Sequence, residues 1–219
     1  MAVDVRVEKD LGGFALEVEF RSPSPVVALY GPSGSGKTTV LNMVAGVLRP
    51  DRGRIEIGGR VLFDAGAGID VPAEKRGAGY IFQDGRLFPH LSVRENLLYG
   101  ARRHASGPDL LDLGGATALL GIEALLDRRP ATLSGGEAQR VAIGRALLAG
   151  ARFLLLDEPL SYLDAARREE ILRVLERVRD ELGLPMLYVS HERAEVERLG
   201  ADVVTIEGGR RCAGTPARV

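Results

Sequence analysis

The sequence predicts an α/β protein: a mostly parallel sheet core that carries an antiparallel β subdomain and an inserted α-helical subdomain. Three observations predict it. Val26–Tyr30 (VVALY), residues 153–156 (FLLL) and Met186–Val189 (MLYV) are short continuous apolar runs, as strands buried on both faces require. Stretches with helical spacing of apolar residues alternate with such runs, the pattern of crossovers between parallel strands. Between about residues 90 and 150 the pairs Leu97-Leu98, Leu110-Leu111, Leu119-Leu120 and Leu125-Leu126 recur among Gly, Ala and Arg without a β-branched run, which reads as helix.

The elements follow in order. Phe14, Leu16, Val18 and Phe20 fall at period two and form one face of a strand. After the strand at Val26–Tyr30 comes a Gly-rich turn, then residues 38–47 with helical spacing, interrupted near Gly46. Residues 54–57 and 60–63 flank Gly58-Gly59, a hairpin signal. Residues 80–83 read as another short strand, and 153–156 return to a buried one. Residues 164–182 place Ile171, Leu172, Leu175, Val178 and Leu182 on one helical face, and Gly183 stops the helix. Residues 203–206 supply a last strand.

Composition narrows the function classes. With 219 residues, 45% apolar and 27% charged, the chain can build a core and is not intrinsically disordered. Lys plus Arg (29) nearly balances Asp plus Glu (30), a net charge of −1 that excludes a strongly basic, sequence-blind nucleic-acid coat. Cys212 is the only cysteine, so no disulfide framework or zinc cluster is expected. No apolar run approaches the ~18–20 residues of a membrane span, and the first ten residues lack the pattern of a signal peptide. A soluble, intracellular chain is expected.

Gly31-Pro32-Ser33-Gly34-Ser35-Gly36-Lys37-Thr38 matches G-x-x-x-x-G-K-S/T in full, between an apolar strand and a helix. Glycines there let successive backbone N–H groups turn inward on phosphate oxygens, and the helix that follows adds its positive end. Lys37 is placed to reach the β- and γ-phosphates, and the Thr38 hydroxyl to ligate Mg²⁺; Thr39 completes the nucleotide-contacting set. Asp157-Glu158 follows the apolar run 153–156, at the carboxyl edge of a strand. Beside a complete phosphate loop, Asp157 is suited to hold Mg²⁺ through water and Glu158 to act as general base toward water. Leu133-Ser134-Gly135-Gly136-Glu137 opens a helix that runs to about Ala149, and Ser134 with Glu137 forms a capping box. Gly135 and Gly136 each cost about 1 kcal/mol of helix propensity, so their bare backbone is expected to serve as an anion site.

With these motifs in this order, the chain resembles the ATP-binding-cassette (ABC) family over nearly all of its 219 residues. The resemblance implies a P-loop NTPase (RecA-like) core of about residues 1–88 and 151–219, with a helical subdomain at about 89–150. It implies a head-to-tail homodimer in which ATP lies between one subunit's phosphate loop and the other's Ser134-Gly135-Gly136-Glu137 segment. Gln83 then corresponds to the glutamine loop, near Mg²⁺ and the attacking water. Ser161-Tyr162-Leu163-Asp164 corresponds to the D-loop, with Asp164 among the nucleotide-site residues, and His191 to the switch histidine at the γ-phosphate. Residues 79–100, 141–148 and 186–191 look like the ATPases of bacterial molybdate importers, with sulfate, iron and polyamine importers as alternatives. The implied partners are membrane permease subunits and, indirectly, a substrate-binding protein. The implied place is peripheral, on the cytoplasmic face of the bacterial inner membrane.

Some readings stay open in the sequence. Phe14 is the nearest aromatic to stack on adenine and is equally in phase for core packing. Leu87, Phe88 and Leu91 suit either a contact with the membrane subunit or packing within the helical subdomain. Tyr162 stands where the family usually has a small residue. No C-terminal oxyanion-binding domain is expected in these 219 residues. Two other function classes are weaker: an ABC ATPase acting on nucleic acid or ribosomes fits neither the single cassette nor the charge balance, and a nucleotide-binding module without hydrolysis fits poorly with Glu158 and His191.

Overall fold

The computed structural model describes residues 2–101 and 111–212; Leu110 of the leucine pattern and residues 213–219 of the expected core lie outside them. In chain order the strands and helices are β1 (Val3–Asp10), β2 (Ala15–Ser22), β3 (Val26–Tyr30), α1 (Lys37–Ala45), β4 (Arg52–Ile57), β5 (Arg60–Asp64), β6 (Ile69–Asp70), α2 (Ala73–Arg76), β7 (Ala78–Ile81), α3 (Val93–Leu98), α4 (Leu113–Leu120), α5 (Gly135–Leu148), β8 (Phe153–Asp157), α6 (Ala165–Leu182), β9 (Met186–Val189), α7 (Arg193–Arg198), β10 (Asp202–Glu207) and β11 (Arg210–Arg211). Two 3-10 turns, Glu123–Leu125 and Pro130–Thr132, lie between α4 and α5. No helix among the described residues is long and apolar enough to cross a membrane.

The chain forms two compact units: residues 1–76 with 185–219, and residues 77–184. In the first, the strand order is β6-β5-β4-β1-β2-β11-β10-β3-β9. The β1/β2, β1/β4, β4/β5 and β5/β6 pairs are antiparallel, whereas β10/β3 and β3/β9 are parallel. β1 was not anticipated. Its Val3, Val5 and Val7 are fully buried and alternate with Asp4, Arg6 and Glu8, a period-two signal present in the first ten residues. β3 and β9 pair Leu29 with Val189, so the chain segments leaving both strands emerge side by side at one edge.

The second unit contains the parallel pair β7/β8 with α3 to α6. Strand β7 ends at Ile81, opposite Leu156, two residues before the end expected at Gln83. Phe82 leaves the ladder where its carbonyl accepts the Gly85 N–H of a turn at 3.0 Å; its ring stacks on Tyr80 with centroids 4.2 Å apart and lies 4.0 Å beneath the Arg86 guanidinium. Helix α6 buries Ile171, Leu172, Leu175 and Val178 as expected; Val174 joins that face, and Leu182 is only half-buried in the last turn.

Candidate nucleotide site

The phosphate loop joins β3 to α1 in the first unit. Gly31 (φ 148) and Gly36 (φ 102) take backbone conformations that disfavour a side chain, and space agrees with conformation. A Cβ on Gly31 would strike the Ile206 carbonyl, and one on Gly36 would come within 2.6 Å of Leu16 Cδ1. Lys37 is buried, and its ammonium donates to the carbonyls of Gly31 (2.8 Å) and Pro32 (2.7 Å), with Ser35 Oγ at 3.5 Å. Pro32, Ser33, Gly34 and Thr38 form the exposed rim, Thr39 is half-buried and Ser35 is buried. Helix α1 has no side-chain cap and no acidic residue in its first turn, so the positive end of its dipole is not offset locally.

Two further predicted residues share this unit. His191 follows β9 and therefore stands at the edge where the loop leaves β3; its side chain is 53% exposed, with Glu192 Oε1 4.0 Å from Nε2. Phe14 precedes β2 and is half-buried, unlike Leu16, Val18 and Phe20, which are fully buried. Its ring lies 3.5 Å from where a Cβ on Gly36 would be, directly against the phosphate loop. The core reading of Phe14 by phase alone therefore does not describe its environment.

The second unit collects the remaining residues. The parallel pairing of Ile81 with Leu156 carries Gln83 and Asp157-Glu158 to one sheet edge. Gln83 is exposed, and Asp157 and Glu158 are half-exposed. The Tyr80 hydroxyl donates to Asp157 Oδ2 at 3.2 Å, and burial raises the Tyr80 pKa well above its ordinary value, so this donor keeps its proton. Glu158 has φ 47, one of two non-glycine residues with positive φ among those described. Such backbone costs of order 1–3 kcal/mol and persists where its surroundings impose it. Here the Ser161 hydroxyl lies 2.9 Å from Glu158 Oε2 and 3.1 Å from its carbonyl oxygen. Asp164 caps α6, accepting the Arg167 N–H and Nη1, both at 2.9 Å.

The signature segment forms the expected capping box. Glu137 Oε2 accepts the Ser134 N–H at 2.7 Å, and Ser134 Oγ accepts the Glu137 N–H at 3.3 Å. The Ser134 backbone bond is the main reason the Glu137 carboxyl lies below the usual glutamate range. Packing gives the paired glycines a second reason to be there: a Cβ on Gly135 would lie 3.0 Å from Leu163, and one on Gly136 3.4 Å from Arg167.

Each unit offers the oxygen donors proposed for a cation: the Thr38 hydroxyl in the first, the Asp157 carboxylate and Gln83 amide in the second. No group of three or more His, Cys, Asp and Glu side chains is gathered for a metal among the described residues. Few, hard oxygen donors fit Mg²⁺ held largely by the phosphates it accompanies.

The ABC transporter family model matches residues 18–161, which runs from β2 through the phosphate loop and signature to Ser161. The chain belongs to the ABC transporter family. Two curated relatives are each described as "Molybdenum import ATP-binding protein ModC". That of Mesorhizobium japonicum is 55% identical over 99% of this chain and 58% of its own length. That of Paramagnetospirillum magneticum is 52% identical over 98% of this chain and 59% of its own. The chain thus spans about three fifths of the length of these relatives. Among solved structures, a dimeric bacterial ABC transporter cassette is similar with a TM-score of 0.77 and 25% identity, each chain fully covered. A part of the ABC transporter complex cbiONQ from Clostridium perfringens gives a TM-score of 0.81 at 27% identity, covering 96% of this chain and 86% of its own.

Other residues hold the ABC transporter motifs in place without belonging to them. The Gln139 amide donates to the Phe82 carbonyl at 3.3 Å, and Arg145 donates to the carbonyls of Gly85 (3.1 Å) and Arg86 (2.8 Å). Buried Asn96 exchanges two hydrogen bonds with the Phe88 backbone, at 2.8 and 3.1 Å. The segment after Gln83 is thereby pinned to α5 and α3, and Leu87, Phe88 and Leu91 are half-buried rather than freely exposed. Polar residues on helices carry no periodic signal of such a task, so sequence reasoning passed over them.

Proposed function

We propose that this chain is the ATP-hydrolysing subunit of an importer, energising uptake of an oxyanion, molybdate in the first instance. The observation that carries this is a complete phosphate loop on the same chain as Glu158, a carboxylate on a strained turn past an apolar strand and held by Ser161. The choice of molybdate is supported by the similarity to two molybdenum import proteins across nearly the whole chain. A homodimer is the working unit, docked through permease subunits on the cytoplasmic face of the inner membrane and supplied by a substrate-binding protein.

In this reading the backbone amides of residues 31–38 cradle the triphosphate, and the Lys37 ammonium exchanges the Gly31 and Pro32 carbonyls for phosphate oxygens. Phe14 stacks on the base. Thr38, Asp157 and Gln83 would hold Mg²⁺, which when bound neutralises phosphate charge. Glu158 orients a water in line with the γ-phosphorus and takes its proton. As the new O–P bond forms, the bond to the bridging oxygen breaks and ADP leaves with that electron pair. His191 donates a hydrogen bond to a γ-oxygen, where charge accumulates. The N-terminus of α5 in the partner copy, at Ser134-Gly135-Gly136, closes the site from the other side. Most of the catalysis is positioning and charge stabilisation.

Glu158→Gln tests it. Turnover is expected to fall about 10²–10⁴-fold, while ATP still drives the variant into dimers visible by size-exclusion chromatography. Unchanged turnover removes Glu158 from its role. Delivery of molybdate by the binding protein to the reconstituted complex should stimulate ATP hydrolysis, and sulfate or iron stimulating instead would reassign the cargo.

A further inference from the structure

Glu195, on α7, is the one buried glutamate among the described residues, 7% exposed, and none of the motifs above contains it. A carboxylate withdrawn from water needs donors. Glu195 Oε2 receives two, the Tyr188 hydroxyl at 2.7 Å and the Ser190 hydroxyl at 2.7 Å. Ser190 Oγ in turn accepts the Glu192 N–H at 2.9 Å, and the Ser190 N–H points to the Leu29 carbonyl at 3.4 Å. A serine hydroxyl has one proton. With it given to Glu195, the lone pairs face the Glu192 amide. The chain on both sides of His191 is thus tied to one oriented hydroxyl and, through Leu29, to the strand that feeds the phosphate loop.

The capping-box geometry does not account for this arrangement, and stability by itself does not call for a carboxylate at this place. Glu195 occupies the third position of α7, from which a capping-box glutamate accepts the N-cap N–H, yet the Glu192 N–H donates to Ser190 Oγ. A well-packed apolar side chain generally stabilises a protein as well as a buried charge does, or better.

We propose that Glu195 is a positioning residue for His191: by holding the Ser190 hydroxyl in one orientation it fixes the turn that presents the imidazole to the γ-phosphate. This rests on the role given to His191 above.

The test is steady-state ATP hydrolysis by the full chain carrying Glu195→Ala, His191→Ala or both. Glu195→Ala is expected to lower kcat about 10- to 100-fold, the size of loss that misplacing a catalytic group produces, with KM for ATP nearly unchanged. In the His191→Ala background it should cause no further loss, because the group it positions is gone. Ser190→Ala should lower kcat in the same way and Ser190→Thr restore it, and this pair decides the matter if Glu195→Ala does not fold. Wild-type turnover in the Glu195→Ala protein, or a second full loss on top of His191→Ala, overturns the proposal. Wild-type turnover in His191→Ala overturns the reading of His191 and the positioning role with it. That result is distinct from failure of the inference alone, in which His191→Ala is impaired and only the Glu195 and Ser190 variants behave as wild type.

Discussion

Arg76 and Lys37 are both basic and both buried, and they do opposite things. Lys37 rests on two carbonyls of its own loop, bonds that a phosphate can replace. Arg76 is locked: Nη1 donates to the carbonyls of Met43 (2.8 Å) and Val44 (3.0 Å) at the end of α1, Nε to Val71 (2.7 Å), and Nη2 to Asp70 (3.1 Å). It thereby supplies a donor to the Val44 carbonyl and a second one to the Met43 carbonyl, which also accepts the Gly46 N–H at 3.2 Å. Arg76→Met should lower unfolding stability by about 3–5 kcal/mol, read by denaturant titration, because carbonyl acceptors around a buried guanidinium lose their donor. Arg76→Lys should rescue little, since one ammonium cannot reproduce a planar fork with four acceptors around it. Sequence reading had no hold on Arg76, which sits in a short polar stretch and is indistinguishable there from a surface arginine. Lys37, by contrast, is legible because its chemistry demands a fixed offset from two glycines.

Two helices of the second unit start with the same device, Ser92 with Glu95 on α3 and Ser134 with Glu137 on α5. The latter is readable in the sequence, since a capping box is purely local. Both glutamates have lowered pKa values, chiefly from accepting the backbone N–H of their serine. A depressed folded-state pKa contributes stability that is fully present above the unfolded value and is lost as pH falls through the folded one. Melting curves should therefore show the second unit losing stability as pH drops below about 4.3, the ordinary glutamate value, and Glu137→Gln should flatten part of that slope. An unchanged slope in Glu137→Gln would mean the carboxylate form contributes nothing to the cap. Strand ends were less legible than helix starts. β7 stops at Ile81, where the Phe82 carbonyl turns to accept from Gly85 in the following turn and from Gln139 on α5, partners that the local apolar pattern does not announce.

At the scale of the whole molecule, the proposed dimer makes its own demand on Tyr162. Its side chain stands 81% exposed in the turn between β8 and α6. Tyr162→Ala should leave the melting of the isolated subunit within about 0.5 kcal/mol of the parent, as expected for a surface site. In the Glu158→Gln background the same change should weaken ATP-driven dimers by more than about 1 kcal/mol if the ring is buried on association. Equal dimer affinity, measured by analytical ultracentrifugation, would place Tyr162 outside the contact. The sequence by itself carried the motifs: phosphate loop, acidic pair and capping-box signature are each a few consecutive residues at fixed spacing, whereas the reading of His191 rested on its order among them in the family resemblance. It also determined the α/β class, because strands buried on both faces need unbroken apolar runs. Only the tertiary structure decided which groups support those motifs. Arg76 under α1, Tyr80 on Asp157, Ser161 on Glu158, Gln139 and Arg145 on the segment after Gln83, and Glu195 on Tyr188 and Ser190 are polar side chains that leave no periodic trace. Their positions follow from which backbone and side-chain acceptors folding brings within 3.5 Å, and that depends on the whole path of the chain.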